Sequence, residues 1–389
     1  MSRKRQRTKS RQSVQHHLDT PTLVYTKAAF GRMMTRLREH RLIALDTESD
    51  SLYSYYPKVC LIQLTTPVAV DSADPRAVVD YLVDPLRLEQ IDALGELLAA
   101  SDVEVILHAA ENDMLILQRD FHFQFSNLFD TQLAARILGW PRAGLAAILE
   151  EKFGLLSDKR MQRTNWGKRP LTPQQITYAQ MDTHYLPALR QQQIDELQSA
   201  GRWEEAQEAF QHLLRVNYHT RPVNGRSFWQ VKGARKLQPK ETGVLQAVWE
   251  WREAEAKQQD RPPFKLVSDR VLERLATQQP ASLTKLHEIA GLSDYQIRRY
   301  GKAIIAAVKD GRKRPEPEPP ESTPRPEQRV DKATQERYEA LRRWRSHTAK
   351  ERGVDTDIVF SNSTLLTIAQ RRPRSVAELQ EITEIGPWK

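Results

Sequence analysis

Asp46 and Glu48 stand one residue apart at the end of a short apolar run, Leu42-Ile43-Ala44-Leu45. A run of this length flanked by charge reads as a buried strand, and Val59, Leu61, Ile62 and Leu64 mark a second one. Alternation along a strand sets Asp46 and Glu48 on one side and turns Thr47 to the other. Two carboxylates held that close repel unless a cation lies between them, which points to a divalent metal with oxygen ligands. Asp and Ser are also ordinary turn residues, so a plain turn after the strand would use the same types. The pair alone leaves both readings open.

Further acids follow at element ends. Asp113 lies just past the apolar strand Val103–Leu107, on a helix starting near Glu111 whose apolar residues Leu115, Ile116 and Leu117 fix its orientation. The helix dipole by itself also favours an acid there. His108 closes the same strand, as a polar cap or as a contact to a ligand. Thr172-Pro173-Gln174-Gln175 has the cap and first-turn proline of a helix start. On that helix Tyr178 and Asp182, four residues apart, share one face. Asp130 is placed as the N-cap of a helix running to Leu138, with a supporting contact to the site as its second role. Between these elements the segment Asp158–Pro170 carries five Lys or Arg residues and Trp166, with little to build a core. Read as a substrate loop, it would neutralise phosphates with Lys159, Arg163 and Arg169 while Trp166 stacks on a base. Read as a solvated loop, it would tuck Trp166 into the domain.

The elements that must position these residues read as a mixed sheet with helices packed on it. Thr22–His40 has helical spacing. Strands are expected over 42–45, 59–64, 77–83 and 103–107, with helices over 88–100, 129–138 and from Ala143 to a stop at Gly154.

A chain of 389 residues implies two or three domains. The net charge of +9 and pI near 9.5 favour a polyanionic partner. Residues 1–18 hold six cations, no acid and almost nothing apolar, which reads as a disordered basic arm rather than a targeting signal. The single cysteine, Cys60, falls in a strand pattern, so no disulfide framework or zinc site is expected, and a reducing intracellular setting fits. No apolar run has the length of a membrane span, so a cytoplasmic protein is expected. No Gly-x-x-x-x-Gly-Lys-Ser/Thr loop is present to hold a nucleotide cofactor.

Asp-x-Glu on a strand, an Asp on a helix after a later strand and Tyr-x-x-x-Asp on a helix form a set that resembles the tyrosine branch of the DEDD exonuclease superfamily. The run Asp158-Lys159 to Gln162, then Asn165-Trp166, Arg169-Pro170-Leu171, Gln175 and Tyr178-Ala179 to Asp182 is similar to the ribonuclease D family. That family usually has an acid where Asn165 stands, a departure that touches loop contacts and not the ligands. The resemblance implies an α/β RNase-H-like domain and two divalent ions, Mg²⁺ or Mn²⁺, on Asp46, Glu48, Asp113 and Asp182. It implies hydrolysis from the RNA 3′ end, releasing 5′-mononucleotides, with tRNA precursors as expected partners. Asp46 would bridge the ions, and Tyr178, whose ordinary pKa near 10 makes it a poor base, would orient the attacking water. His108, Lys159, Gln162, Arg163, Trp166 and Arg169 are the candidate nucleic-acid contacts.

Beyond Ala209 the chain repeats itself at an offset of ninety-three residues. Trp251-Arg252 matches Trp344-Arg345, Pro280-Ala281-Ser282 matches Pro373-Arg374-Ser375, and Leu286, Glu288, Ile289 and Leu292 match Leu379, Glu381, Ile382 and Ile385. The matches are mostly apolar, so the repeat is a packed helical unit, and it resembles the small all-α HRDC domain. The organisation expected is a basic arm over 1–20, an exonuclease domain over 21–215, a linker over 216–238, a first HRDC unit over 239–312, a Pro/Glu-rich spacer over 313–331 and a second unit over 332–389 without its last helix. The competing functions are a DNA 3′–5′ exonuclease, which would use the same carboxylates, and a non-catalytic RNA-binding adaptor.

Overall fold

A computed structural model describes residues 18–69, 74–156, 158–215, 227–318 and 330–389. The expected arm up to residue 17, the part of the first linker over 216–226 and the part of the Pro/Glu spacer over 319–329 lie outside the described residues.

The first half of the chain forms β1 (Thr22–Val24), α1 (Lys27–Leu37), β2 (Leu42–Ser49), β3 (Val59–Pro67), β4 (Val78–Val83), α2 (Asp92–Leu98), β5 (Glu104–Leu107), α3 (Glu111–Phe121), β6 (Leu128–Asp130), α4 (Thr131–Ile137), α5 (Leu145–Phe153), α6 (Pro173–His184), α7 (Leu186–Ser199) and α8 (Trp203–Leu213). The six strands make one mixed sheet in the order β1-β4-β3-β2-β5-β6. β3 runs antiparallel to β4, whereas β1 with β4, β2 with β5 and β5 with β6 are parallel. The site strand β2 is central, and its Ile43, Ala44 and Leu45 are fully buried. β3 is buried from Val59 to Thr66, as a strand covered on both faces must be.

Two strands differ from the sequence reading. β1 occupies the start of the stretch read as one helix; Thr26 caps α1 after it, its hydroxyl accepting from Ala29 N at 3.2 Å. β6 takes Phe129 and Asp130, where the sequence pattern predicts the opening of a helix; Asp130 is at once the strand end and the α4 N-cap. Three-residue strands are too short to show a period of two, and only their partners, β4 and β5, make them strands.

The second half of the chain holds α9 (Pro239–Gln258), α10 (Pro263–Leu266), α11 (Asp269–Gln278), α12 (Leu283–Leu286), α13 (Asp294–Gly311), α14 (Lys332–Arg352), α15 (Thr356–Val359), α16 (Asn362–Arg371) and α17 (Val376–Gln380). The internal repeat is reproduced contact by contact. Buried Arg252 donates to Val267 O at 3.0 Å and Asp269 Oδ1 at 2.6 Å. Buried Arg345 donates to Phe360 O at 2.6 Å and Asn362 Oδ1 at 2.9 Å, each partner ninety-three residues on.

Among the described residues the chain forms two compact units, and sequence order does not divide them. One runs to Glu48, resumes at Val59 and includes the C-terminal helices from Val330; the other joins Ser49–Lys58 to α9–α13. In the first unit Ile358 of α15 enters the apolar core of the sheet domain. Arg136 of α4 pairs with Asp357 at 2.7 Å, and Arg352 of α14 with the buried Glu205 of α8 at 2.5 Å. In the second unit the backbone N–H groups of Tyr55 and Tyr56 donate to Asp260 Oδ1 at 2.9 and 3.2 Å. No helix among the described residues is long and apolar enough to cross a membrane.

The basic segment before α6 is folded in. Trp166 is 1% exposed and packs with Cys60, Leu61, Leu82, Tyr178 and Ala179. It therefore cannot stack on a base, which corrects the substrate reading of Trp166. Arg169 is likewise structural: it pairs with Asp84 at 2.6 Å and donates to the carbonyls of Cys60 at 2.7 Å and Trp166 at 2.6 Å. Its guanidinium is spent inside the domain, which corrects its assignment as a phosphate contact. Trp166→Ala is expected to destabilise the protein by about 3–5 kcal/mol, the usual cost of deleting a buried aromatic. Trp166→Phe, which keeps most of the packing, should hold oligonucleotide affinity within about twofold; loss of affinity without loss of stability, by denaturation and fluorescence anisotropy, would restore the stacking role.

Candidate active site

Three elements bring the acids together, and each is fastened from behind. Asp46 and Glu48 sit on the central strand β2. Asp113 sits in the first turn of α3, whose entry requires Ala109 in a left-handed conformation, with φ at +62°. Asp130 holds that turn. Its carboxylate accepts from Ala109 N at 3.2 Å and Ala110 N at 2.8 Å, and also caps α4 through Gln132 N at 2.8 Å and Leu133 N at 3.0 Å. The cap and the supporting contact are one knot of four hydrogen bonds.

α6 carries Tyr178 and Asp182. Thr172 and Gln175 form a capping box at its start, with Pro173 in the first turn. Its other face is tied to the sheet by the buried Asp80 of β4. That carboxylate accepts from Gln180 Nε2 at 2.7 Å, His184 Nδ1 at 2.7 Å and Thr65 Oγ1 at 2.6 Å, and the Thr65 and Thr183 hydroxyls lie 2.7 Å apart. His184 thus faces away from Asp182, and Tyr178 holds the cleft position.

Carboxylate oxygens of Asp46, Glu48 and Asp182 lie within 4.8 Å of one another. Asp113 stands beside them: its Oδ1 accepts from Thr47 Oγ1, and it is the strongest charged neighbour acting on Asp46. Burial, followed by repulsion from Asp113, Asp182 and Glu48, pushes the Asp46 carboxyl well above the usual range. Burial and then Asp182 and Asp113 raise Glu48 to about 9. Burial raises Asp113 to about 6, against the Thr47 hydrogen bond that lowers it. Asp182 is raised by burial and by Asp113, while a hydrogen bond from Tyr178 favours its charged form. Burial and the Asp182 and Glu48 charges push the Tyr178 phenol up, so it stays protonated and donates. A concentration of buried carboxylates with hard oxygen donors fits a divalent cation of the Mg²⁺ or Mn²⁺ type.

Asp46, Glu48 and Asp182 open on a cleft of about 500 Å³ whose walls include His108, Gln132, Lys159, Gln162, Tyr178 and the first turn of α5 over Gly144–Ala147, while the buried Asp113 lies behind this lining. Of the candidate nucleic-acid contacts, His108, Lys159 and Gln162 therefore reach the cleft, and Arg163 is exposed on the same segment. Sequence reasoning missed Thr47, Gln132, Asp80 and the start of α5. Strand alternation turns Thr47 away from Asp46 and Glu48, and nothing local signals that α3 brings Asp113 to it.

A mixed six-stranded sheet with this acidic centre, followed by repeated helical units, defines a 3′–5′ exonuclease with accessory helical domains. A 3′-5′ exonuclease family model matches residues 21–198, and an HRDC domain model matches 241–308 and 334–389. Ribonuclease D of Serratia proteamaculans is 31% identical over 303 residues, covering 78% of this chain and 78% of the relative. Ribonuclease D of Desulfotalea psychrophila is 32% identical over 288 residues, covering 74% of each. The crystal structure of Escherichia coli RNase D has the same fold, with a TM-score of 0.63 at 24% identity over 90% of each chain. The chain belongs to the ribonuclease D family and is a nuclease.

The raised carboxyls fix the sign of a pH effect. Between ordinary carboxyl values and about 9 for Glu48 or about 6 for Asp113, the folded chain binds more protons than the unfolded one, so stability falls as pH rises. In chelator, the melting temperature is expected to drop from about pH 5 to about pH 9, and Mg²⁺ should raise it more at the alkaline end. Glu48→Gln should flatten the slope; a chelated protein with the same slope in both forms by differential scanning fluorimetry would contradict this account.

Proposed function

We propose that this chain hydrolyses RNA from its 3′ end, releasing 5′-mononucleotides, with Asp46, Glu48, Asp113 and Asp182 holding two divalent cations, Mg²⁺ or Mn²⁺. The observation that carries the reading is the approach of the Asp46, Glu48 and Asp182 oxygens to within 4.8 Å on rigid elements at the floor of an open cleft. Asp46 feels the charges of all three other acids, Asp113, Asp182 and Glu48, which suits it to be shared; Glu48 and Asp182 would complete one set and Asp113 the other. Cations held by these four carboxylates would offset their charge and supply the means to acidify an attacking water and to stabilise a leaving 3′-oxygen.

The other groups act as themselves. Tyr178 stays protonated beside Asp182 and Gln162 and orients a water by hydrogen bond rather than taking its proton. Lys159, on the cleft wall, neutralises a backbone phosphate, and Gln162 offers an amide to the same strand. The exposed Arg163 extends the cationic edge for the nucleotides that follow. Phosphate contacts of this kind read no sequence, so base identity matters little. Precursors of tRNA and other stable RNAs with 3′ extensions are the proposed substrates; the ribonuclease D relatives support RNA as the substrate class. The nuclease domain is assigned to 21–215 and the HRDC units to 239–312 and 332–389.

With 5′-labelled RNA and Mg²⁺ or Mn²⁺, a ladder shortening from the 3′ end is expected, abolished by chelator and by Asp182→Asn. Tyr178→Phe should lower kcat by about 10²–10⁴-fold, the range for a lost proton-handling or water-orienting group. Tight RNA binding without cleavage under any divalent cation would favour the adaptor instead.

A further inference from the structure

His108 is held in one tautomer by a chain of hydrogen bonds that ends at the catalytic cleft. Thr131 Oγ1 lies 3.0 Å from the carbonyl oxygen of Leu107 and 2.9 Å from His108 Nδ1. A carbonyl only accepts, so the one hydroxyl proton of the buried Thr131 is committed to Leu107, and Oγ1 meets the imidazole as an acceptor. Nδ1 therefore carries the ring proton. Burial pushes the ring down to about 4, against the charge of Asp130, so at neutral pH it has no second proton. Nε2 is left as a lone-pair acceptor. It is shielded from solvent and has no hydrogen-bond partner among the described residues, while its ring lines the cleft that holds Asp46, Glu48 and Asp182.

A buried acceptor without a partner in a native structure needs an explanation, and one whose ring lines a substrate cleft finds it in a donor that arrives with the ligand. Phosphate esters offer only acceptors. Base amino groups offer donors on some bases and not on others, whereas every ribonucleotide presents a 2′-hydroxyl and no deoxynucleotide does. We propose that His108 Nε2 accepts a hydrogen bond from a ribose 2′-hydroxyl near the scissile phosphate, and that this contact sets the preference for RNA over DNA. The proposal rests on the nuclease reading above and names the feature of the substrate that this reading leaves open. Because water does not reach Nε2 in the free protein, the side chains around it part as the ribose enters. The contact is made in a dry site, where an analogue lacking the hydroxyl leaves the acceptor unmade and is strongly rejected.

The test uses the full chain and RNA oligonucleotides that differ only by a single 2′-deoxy substitution at the last or the penultimate nucleotide. At one of those positions the wild type should lose about 10–100-fold in kcat/KM. His108→Leu, which has no acceptor, should bring that ratio close to one, and His108→Gln, which offers an amide oxygen, should keep part of it. The same ratio should appear in the Kd for the paired oligonucleotides measured in chelator. Equal handling of both oligonucleotides by the wild type would overturn the proposal. So would a His108→Leu that slows both in proportion, since that marks a structural role, or a ratio that follows base identity. Failure of the nuclease reading is separate: no oligonucleotide is shortened by the wild type, and the chelated binding ratio then decides the role of His108 alone. Should His108→Leu fail to fold by circular dichroism, His108→Gln carries the comparison.

Discussion

Four carboxylates in one poorly solvated corner repel each other, and the architecture of the sheet domain is organised to hold them there regardless. Raised carboxyl pKa values at Asp46, Glu48, Asp113 and Asp182 register that cost directly. Left on mobile loops the acids would spread apart. Here each rides an element with its own rear fastening: β2 in the middle of the sheet, α3 through the Asp130 knot, α6 through Asp80. Two of these fastenings are buried carboxylates that hold several donors each, Asp130 four backbone N–H groups and Asp80 three side chains, while burial and mutual repulsion make the site acids resist charging. The difference between an anchoring and a functional carboxylate is the number of N–H and O–H groups that face it.

The basic segment before α6 shows how little a count of cations says about a substrate surface. Arg160 pairs with its neighbour Asp158 at 2.6 Å, and Arg169 is bound to Asp84 and to backbone carbonyls. Lys159 is the cation of this segment that lines the cleft. Much of the segment's charge thus builds the wall on which the remainder is displayed. Trp166 belongs to the same wall, packed behind Tyr178 with ring centroids 6.1 Å apart. The segment positions the phenol as much as it approaches any phosphate.

What was legible in the sequence were relations that one element carries within itself: the Asp46–Glu48 spacing on a strand, the Tyr178–Asp182 spacing on a helix, the Thr172–Gln175 capping box and the repeat. Asp113 was legible because an apolar strand and helix frame it. What was not legible depended on a distant partner. β1 and β6 are strands only because β4 and β5 lie beside them, Arg169 is structural only because Asp84 waits eighty-five residues away, and Thr47 meets Asp113 across sixty-six. Trp166 offered two readings that its own neighbours in sequence could not separate. Burial decided between them, and burial is set by β3, β4 and α6 together.

The two HRDC units sharpen the distinction between a fold and its use. Their interiors are near copies, down to a buried arginine closing on the same two positions, one backbone carbonyl and one side-chain oxygen. Their short second helices are not copies. Where α15 presents Asp357 and Ile358, α10 presents Phe264 and Lys265 at the same offset. Ile358 is buried in the sheet domain's core and Asp357 pairs with Arg136, whereas Lys265 Nζ lies 3.5 Å from the centre of the Tyr53 ring. The core positions are constrained by packing that every copy must satisfy, and outward positions only by whatever each copy touches. A repeat detected through its apolar residues therefore reports the shared scaffold, and the residues that differ at matched outward positions report what each copy was recruited to hold.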